Sequence, residues 1–443
     1  MGRPPVVRRL DVRLNGRLAG EYRYNPAGGV SFAYDGDWLG WEFAFPISRQ
    51  LPLRTGAQSG AAVNAVFENL LPDNPDLRRR IAERTEARSD RPHDLLAAIG
   101  RDCIGAMQFL PQGADPGDPF RIDGTPQSTG QIAATIRDLA TSPLGLGGDD
   151  TFRISLAGAQ EKTAFLFHDG IWLKPAGLTP TTHIFKRRMG MVSHGIDMTD
   201  SVENEWLCLK LAAALGLPVN EARIESFEDQ TVLVVTRFDR APRRGGGILR
   251  LPQEDFLQAL GLESGQKYQE HGGPGIADGL RLLEGSRNRA ADQRLFLKAQ
   301  IVNWLLAAID GHAKNYSLAL GPGGFAMTPL YDILSAAPAR ETGAFRHRDL
   351  RLAMSVGGRR HYRLDQIQPR HFDETAALAK VPPEIRRQAF TELAAVGPAA
   401  IAAVTQALPT GFPDRVAGPI LAQARNRMVL LGDQVAAGLV GHP

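Results

Sequence analysis

The chain has 443 residues, of which 43% are hydrophobic and 22% are charged, and its formal net charge is +3. This length allows two or three domains, and the small net charge argues against a protein that binds nucleic acid by itself as its main activity. The two cysteines, Cys103 and Cys208, form no Cys-x-x-Cys pattern, so neither a disulfide framework nor a zinc site is expected. The sequence has no signal-like apolar N-terminus and no long uncharged stretch, which favours a cytoplasmic protein with no membrane partner.

The N-terminal part is predicted to begin as a β meander. Strands are predicted over residues 6–13, 18–24, 30–34 and 41–45. Asn15-Gly16 is a strong signal for a two-residue hairpin turn between the first two. A helix follows over residues 67–84, with a break predicted at Leu71-Pro72-Asp73, because proline favours the first turn of a new helix.

Residues 152–166 contain a candidate phosphate-binding loop, since two apolar, strand-like runs flank small and polar residues. Such a loop can direct backbone N–H groups at phosphate oxygens. With one glycine it matches neither Gly-x-Gly-x-x-Gly nor a Walker A sequence, so an ordinary hairpin is the alternative. The candidate residues are Ala157, Gly158, Ala159, Gln160, Glu161 and Lys162.

A strand is predicted over residues 183–186, and Lys186 at its end could neutralise the α- and β-phosphates of a nucleotide. A solvated surface lysine is the alternative. The amphipathic helix predicted over residues 201–215 carries Glu203 and Glu205, either of which could pair with a strand lysine as a helix glutamate does in protein kinases.

The strand predicted over residues 231–237 leads into the position where a two-lobed kinase has its adenine hinge. Backbone groups near Thr236 and Phe238 would contact adenine, and Asp239 could reach the ribose. Beyond Pro252 the predicted elements are helices, including separate ones over 383–395 and 398–407, apart from a hairpin over 318–330.

The stretch from Asp310 to Asp332 is the most informative part of the sequence. An apolar helix delivers Asp310, Asn315 follows five residues later, and Asp332 comes after the short hairpin. This spacing is typical of protein-kinase catalytic loops, in which one aspartate accepts the proton of a hydroxyl nucleophile and the other two residues hold Mg²⁺. Two capping or turn-forming aspartates are the alternative.

The sequence resembles the HipA-type serine/threonine kinases, the toxins of bacterial HipA–HipB toxin–antitoxin modules, over nearly its full length. The matching segments are residues 68–73, 99–102, 155–163, 179–183, 237–240, 250–255, 272–275, 310–317 and 329–335. The resemblance implies an α+β, two-lobed protein-kinase-like fold. We expect a mixed N-terminal lobe over residues 1–253 and a helical C-terminal lobe over residues 254–443.

The resemblance also implies roles for matching positions. Asp310 would be the catalytic base, Asn315 and Asp332 the Mg²⁺ ligands, and Lys186 a contact to the phosphates of ATP. His312, Lys314 and Tyr331 would lie near the nucleotide. Ser155 matches the serine that these kinases phosphorylate on themselves, and the charge of a phosphoserine beside ATP should switch the enzyme off.

Further implications concern substrate and partners. The expected substrate is glutamate–tRNA ligase, and the expected partner is a dimeric HipB-like helix-turn-helix antitoxin that binds operator DNA, so that contact with DNA would be mainly indirect. Thr236 departs from the family pattern, in which a glutamate precedes the arginine. Two alternatives stay open: a catalytically silent corepressor that only binds the antitoxin, and a small-molecule or lipid kinase of the same fold.

Overall fold

The architecture comes from a computed structural model, which describes residues 7–26, 29–146, 153–157, 160–192, 196–344 and 346–441. Its strands are β1 (Arg8–Leu14), β2 (Arg17–Asn25), β3 (Gly29–Tyr34), β4 (Ala57–Ser59), β5 (Met107–Pro111), β6 (Gly124–Pro126), β7 (Lys162–His168), β8 (Ile171–Pro175), β9 (His183–Arg187), β10 (Gly190–Val192), β11 (Ile196–Met198), β12 (Ala222–Phe227), β13 (Gln230–Thr236), β14 (Arg240–Pro242), β15 (Ile248–Arg250), β16 (Gln253–Asp255), β17 (Ser317–Gly321), β18 (Gly324–Met327), β19 (Arg351–Val356) and β20 (His361–Arg363). Its helices are α1 (Gly36–Leu39), α2 (Ala61–Glu68), α3 (Pro75–Arg84), α4 (Pro92–Ile99), α5 (Thr129–Arg137), α6 (Ser201–Ala214), α7 (Phe256–Leu260), α8 (Ile276–Leu282), α9 (Arg289–Leu306), α10 (Ala337–Glu341), α11 (Pro369–Leu378), α12 (Pro383–Gln406) and α13 (Asp414–Ala436). The predicted α+β class is confirmed.

The first of two compact units comprises Met1–Arg187, Glu225–Gly265 and Leu318–Gly324. It contains a five-stranded sheet in the order β4-β3-β2-β1-β5 and a six-stranded sheet in the order β12-β13-β9-β7-β8-β6. Neighbouring strands of the five-stranded sheet are antiparallel, and α2 and α4 pack against it. The predicted meander is therefore found in β1, β2 and β3, which pair antiparallel in sequence order.

The first hairpin shows why the meander forms. Asn15 and Gly16 occupy the left-handed region, with φ of 49° and 85°, as a tight turn between twisted strands requires. Alternation along β1 then buries Leu10, Val12 and Leu14 on one face. The predicted hairpin is confirmed.

Aromatic side chains explain why the predicted strand over residues 41–45 does not form. Trp38, which lies in α1, is buried, and its Nε1–H group donates a hydrogen bond to the carbonyl of Phe45 at 3.2 Å. The rings of Trp41 and Phe45 both pack edge-on against it. This aromatic cluster folds the segment into turns, and that prediction is wrong.

A buried ion network runs through the first unit. Its five members are Asp102, Arg237, Asp239, Arg240 and Arg250, each less than one-tenth exposed. Arg237 donates from Nε and Nη2 to the two carboxylate oxygens of Asp239, at 2.9 and 2.8 Å. Asp102 accepts from Arg240 Nη2 at 2.9 Å and from Arg250 Nε at 3.2 Å. The network thus joins residues 102, 237–240 and 250 within one core.

The second unit comprises Arg188–Ile224, Gln266–Ser317 and Phe325–Pro443. Helix α9 is central to it and packs against α8, α12 and α13. Helix α6 belongs to this unit because it packs on α9, α12 and α13. Each compact unit therefore consists of three separate segments of the chain, whereas the sequence predicted a single boundary between two lobes near residue 253.

The structure corrects two further predictions in the second unit. Helix α12 runs without a break through Pro398, where two separate helices were predicted. Gly397 lies so close to Met428 of α13 that an added Cβ would meet its Sδ at 2.3 Å. Tight packing of the two helices thus outweighs the hydrogen bond that proline removes. The antiparallel pair β19–β20 was not predicted.

One helix among the described residues, α12, is long and apolar enough to cross a membrane by length and composition alone. It packs against α6, α9, α11 and α13. Core helices of soluble proteins meet the same criterion, so this is weak evidence for a membrane span.

Candidate active site

The end of helix α9 sets the position of Asp310. Ala307 takes the left-handed conformation, with φ of 54°, that commonly ends a helix. The N–H group of Ala308 donates to the carbonyl of Asn303 at 2.8 Å, and Ile309 accepts from the N–H group of Ala353 at 3.0 Å. The chain is thereby turned out of the helix and held just before Asp310, whose side chain is exposed.

The loop after Asp310 folds back on itself through Asn315. The carbonyl of Asp310 accepts from His312 N at 2.8 Å, and His312 O accepts from Asn315 N at 2.9 Å. The Asn315 Nδ2 group donates to the carbonyl of Asp310 at 2.9 Å and to that of Asp332 at 3.5 Å. One carboxamide therefore contacts the backbone at both aspartates. With its nitrogen assigned by these acceptors, its oxygen is directed away from them.

Asp332 is held from both sides in the second unit. Val219 forms a parallel bridge with Leu330, and Asn204 exchanges two hydrogen bonds, each of 2.8 Å, with the backbone of Ser335. Between these anchors Asp332 adopts φ of 55°, a conformation that aspartate tolerates better than most residues but that still costs energy. Such strain persists where surrounding contacts fix the backbone, as is common at functional sites.

Tyr331 ties the Asp332 segment to the loop. Its hydroxyl donates to the carbonyl of Lys314 at 3.0 Å and lies 2.5 Å from Ser317 Oγ. The side chains of His312 and Lys314 are buried in the same loop. The predicted residues Asp310, His312, Lys314, Asn315, Tyr331 and Asp332 thus form one connected group.

Tyr268 contacts this group and was not predicted from the sequence. Its hydroxyl donates to Asp310 Oδ1 at 2.5 Å, and its ring lies edge-on to His312 with 5.1 Å between centroids. A lone tyrosine in an irregular segment carries no motif that could have revealed this contact. The hydrogen bond orients the Asp310 carboxylate, and in the predicted role of catalytic base its other oxygen would accept the proton.

Four residues of this group, Asp310, Asn315, Tyr331 and Asp332, also line a small pocket of the second unit. Its lining is Ala299, Asn303, Ala308, Asp310, Gly311, Asn315, Tyr316, Leu330, Tyr331, Asp332, Ile333 and Leu334. Asn315 and Asp332 supply the hard oxygen donors that Mg²⁺ prefers. No group of three or more His, Cys, Asp or Glu side chains suited to a metal occurs in the described part of the chain. The donor set fits an ion held by two protein ligands together with phosphate oxygens, as nucleotide-bound Mg²⁺ is.

Gly311 is expected to be essential for the shape of this loop. An added Cβ would meet Asn303 Nδ2 at 2.3 Å, and this group donates to the Tyr316 hydroxyl at 2.7 Å. Gly311→Ala should therefore displace the loop and lower kcat/KM about 100-fold, since a misplacement near 1 Å has effects of this order. Gly321→Ala is the matched control, because an added Cβ there meets nothing within 4 Å. Equal activity of the two variants in a kinase assay would contradict this prediction.

Two lysines of the first unit carry the phosphate-binding prediction. Lys162 of β7 and Lys186 of β9 are directly opposite each other across two antiparallel strands, and both side chains are buried. Directly opposed residues of neighbouring strands point to the same face of a sheet. The pairing therefore brings these two candidate residues to one face, and their contact with phosphate stays a prediction.

The loop before Lys162 differs from the expected hairpin. Residues 153–157 form no strand in the part of the chain that the structure describes, and Ile154 and Leu156 are buried in the core instead. Gln160 Nε2 donates to the carbonyl of Arg187 at 2.9 Å, and Glu161 pairs with Arg187 at 3.1 Å. These contacts hold the C-terminal side of the loop on β9. Ala157 is half-buried, and Gly158 and Ala159 lie outside the described residues.

The hinge prediction receives uneven support. Thr236 and Phe238 are half-buried at the end of β13, and a contact of their backbone groups with adenine stays a prediction. Asp239 is buried, and both of its carboxylate oxygens accept from Arg237. The geometry therefore gives Asp239 a structural role and offers no support for its predicted contact with ribose.

Helix α6 carries both candidate glutamates, and both are buried. Glu203 forms an ion pair with Arg188. A pairing of either glutamate with a strand lysine stays a prediction.

Comparison with known proteins gives a consistent result. A model of the HipA-like C-terminal domain matches residues 154–401, and a model of the HipA N-terminal domain matches residues 10–110. The chain is 34% identical over 358 residues to the "putative kinase Y4mE" of Sinorhizobium fredii, covering 80% of this chain and 82% of that protein. It is 30% identical over 341 residues to the "serine/threonine-protein kinase toxin HipA" of Shewanella oneidensis, covering 74% of this chain and 75% of that one.

A chain from the solved Shewanella oneidensis complex of HipA, HipB and operator DNA superposes with a TM-score of 0.78 at 25% identity. The match covers 97% of this chain and 99% of that chain. It extends the similarity from the two family domains to almost the whole fold.

Proposed function

Because this chain belongs to the HipA family of kinases, we propose that it is an ATP- and Mg²⁺-dependent serine/threonine protein kinase that acts as the toxin of a toxin–antitoxin module. The observation that carries the proposal is the connection of Asp310, Asn315 and Asp332 through one carboxamide at one pocket. A pair of turn-forming aspartates would need no such arrangement.

The proposed reaction transfers the γ-phosphoryl group of ATP to the hydroxyl oxygen of a serine or threonine. ATP would supply the phosphoryl group and leave as ADP, and Mg²⁺ held by Asn315 and Asp332 would supply positive charge that offsets the phosphate oxygens. Asp310, oriented by the Tyr268 hydroxyl at 2.5 Å, accepts the proton of the substrate hydroxyl. Asn315 and Asp332 provide oxygen ligands for the metal, and Lys162 and Lys186 neutralise phosphate charge. In this scheme the protein contributes position and electrostatics more than covalent chemistry.

We propose that Ser155 is the site of self-inactivation. Its side chain is fully buried, its hydroxyl donates to the carbonyl of Leu70 at 2.7 Å, and its N–H group donates to Asp102 O at 3.0 Å. A phosphoserine carries a charge of about −1.5 to −2, which this apolar position cannot accommodate. Phosphorylation would therefore hold residues near 155 in a displaced conformation and disrupt the adjoining phosphate loop.

The test is intact-mass analysis of the purified protein after incubation with ATP and Mg²⁺. Wild type should gain one phosphate and lose kinase activity with time, whereas Ser155→Ala should gain none and stay active. Ser142→Ala is a matched control at an accessible serine, and it should behave like wild type. Equal phosphate incorporation in Ser155→Ala and wild type would rule out Ser155 as the site.

The same measurement tests the kinase assignment separately. Freshly dephosphorylated wild type that neither modifies itself nor any added protein would favour the catalytically silent corepressor. Transfer to a small molecule or lipid alone would favour the other alternative kinase class.

For substrate and partner we propose glutamate–tRNA ligase and a dimeric HipB-like antitoxin in the cytoplasm. The solved complex named above, which contains HipA, HipB and operator DNA, supports an antitoxin partner and an association with DNA. The net charge of +3 fits an indirect DNA contact better than an autonomous one.

A further inference from the structure

Strand β19 forms hydrogen bonds with two other segments of the second unit. The N–H group of Ala353 donates to the carbonyl of Ile309 at 3.0 Å. The N–H group of Ser355 donates to Oε1 of the Gln269 side chain at 2.7 Å. Residues two apart in a strand direct their N–H groups to the same edge, about 6.6 Å from each other. One edge of β19 therefore sets the spacing of both acceptors.

These acceptors directly adjoin the two partners of one hydrogen bond. The first precedes Asp310 in the chain, and Gln269 follows Tyr268, whose hydroxyl donates to Asp310 Oδ1 at 2.5 Å. Arg351, at the start of β19, also forms an ion pair with Glu270. Both side chains of that pair are more than two-fifths exposed, so it contributes little. The Gln269 bond is therefore the main link between β19 and the tyrosine.

The segment around Tyr268 is a tight turn that keeps Gln269 in place. The N–H group of Gly273 donates to the carbonyl of Tyr268 at 3.0 Å. An added Cβ at Gly275 would meet Gln269 Nε2 at 2.4 Å, so the glutamine side chain lies directly against the backbone there. The Gly-Gly-Pro-Gly sequence of residues 272–275 thus gives the turn a shape that a larger residue at Gly275 would disturb.

We propose that Gln269 is a positioning residue of the kinase reaction, because its bond to β19 holds the Tyr268 hydroxyl on Asp310. This inference rests on the proposed function, in which Asp310 is the catalytic base. The turn is also attached to the loop after Asp310 by a long hydrogen bond, 3.4 Å from Ala313 N to Lys267 O. Loss of the Gln269 bond should therefore leave the turn in place but let the tyrosine hydroxyl shift. A carboxylate that is less well oriented reacts more slowly, with no change in nucleotide binding.

The experiment measures initial rates of phosphate incorporation by the full chain, into itself and into casein as an added acceptor. Gln269→Leu keeps the size of the side chain but cannot accept a hydrogen bond, whereas Gln269→Glu keeps an acceptor oxygen. Gln269→Leu should lower kcat about 3- to 10-fold and Tyr268→Phe about 10- to 100-fold, since a misplacement near 1 Å can cost about 100-fold. The KM for ATP should not change, and Gln269→Glu should restore the wild-type rate.

A double variant separates positioning through Tyr268 from a general loss of stability. If Gln269 acts through the tyrosine hydroxyl, Gln269→Leu should have no further effect on kcat in a Tyr268→Phe chain, whereas independent effects would multiply. Gln366→Leu, the same change at an exposed glutamine, is the control and should leave kcat at the wild-type level. Effects that multiply, or an unchanged kcat in Gln269→Leu, would overturn the inference.

A readout that does not depend on activity separates this inference from the proposed function. The ¹⁹F NMR signal of 3-fluorotyrosine incorporated at position 268 should move in Asp310→Asn and in Gln269→Leu, but not in Gln269→Glu. An inactive chain with these shifts would refute the proposed function and leave no reaction for Gln269 to serve, so both would fall. An active chain in which Gln269→Leu moves neither the signal nor kcat would overturn the inference alone.

Discussion

Asp310→Asn should lower the rate of phosphoryl transfer by about 10²- to 10⁴-fold, the usual contribution of a general base. The amide keeps the shape of the carboxylate. Its oxygen can still accept a hydrogen bond from the Tyr268 hydroxyl, which in the wild-type protein lies 2.5 Å from Asp310 Oδ1. It cannot accept the proton of a substrate hydroxyl. The loss should therefore appear in kcat, with nucleotide affinity and the unfolding midpoint close to those of wild type.

Initial rates of phosphate incorporation and binding of a fluorescent ATP analogue measure the two quantities separately. Asp433→Asn makes the same chemical change on the exposed face of α13 and should leave both at the wild-type level. Asp310→Asn with clearly more than about one-hundredth of wild-type kcat would be incompatible with the general-base role, because that role requires at least about 10²-fold.

Asp102→Asn should lower the free energy of unfolding by about 3–5 kcal/mol, more than any other substitution proposed for this protein. It removes one anion from a buried network that contains three arginines. Asp102 is 4% exposed, and Arg237, Arg240 and Arg250 surround it. Burial by itself raises the pKa of Asp102, but the three guanidinium groups outweigh it and lower the pKa to about 2. In the variant, the three arginines of this network are balanced by a single carboxylate, that of Asp239.

Urea unfolding at several pH values tests this prediction. A carboxylate with a folded pKa below its unfolded value stabilises the protein above about pH 4, and that stabilisation disappears as the pH falls through about 2. The difference between wild type and Asp102→Asn should therefore be full at pH 7 and shrink in acid. Asp229→Asn, which breaks an exposed pair with Arg137, is the control and should change unfolding little. A difference independent of pH would show that the charge of Asp102 is not the cause.

The sequence was enough to predict the fold class and the group of residues that the structure brings together in the second unit. Asp310, Asn315 and Asp332 could be found because a protein-kinase catalytic loop requires these residue types at this spacing, and few other side chains can replace them. The Asn15-Gly16 turn could be found for a similar reason, since few dipeptides adopt two positive φ angles cheaply.

The features that escaped prediction depend on contacts between distant residues. Whether Pro398 breaks a helix depends on how closely Gly397 approaches Met428, and no local pattern encodes that distance. The commitment of Asp239 to Arg237 likewise depends on a core built from separate segments. Tyr268 reaches Asp310 from a segment 42 residues earlier in the chain, and nothing in its neighbourhood signals the contact.

The burial of Ser155 has a kinetic consequence. No kinase can modify this hydroxyl until the hydrogen bonds at Leu70 O and Asp102 O open and Ile154 and Leu156 leave the core. The rate of the proposed self-inactivation would then be the chemical rate multiplied by the small population of locally unfolded chains. An interval of activity would precede shutdown, and its length would be set by local stability. Substitutions that loosen this segment should shorten the interval without touching a catalytic group, so the fold itself would act as the timer.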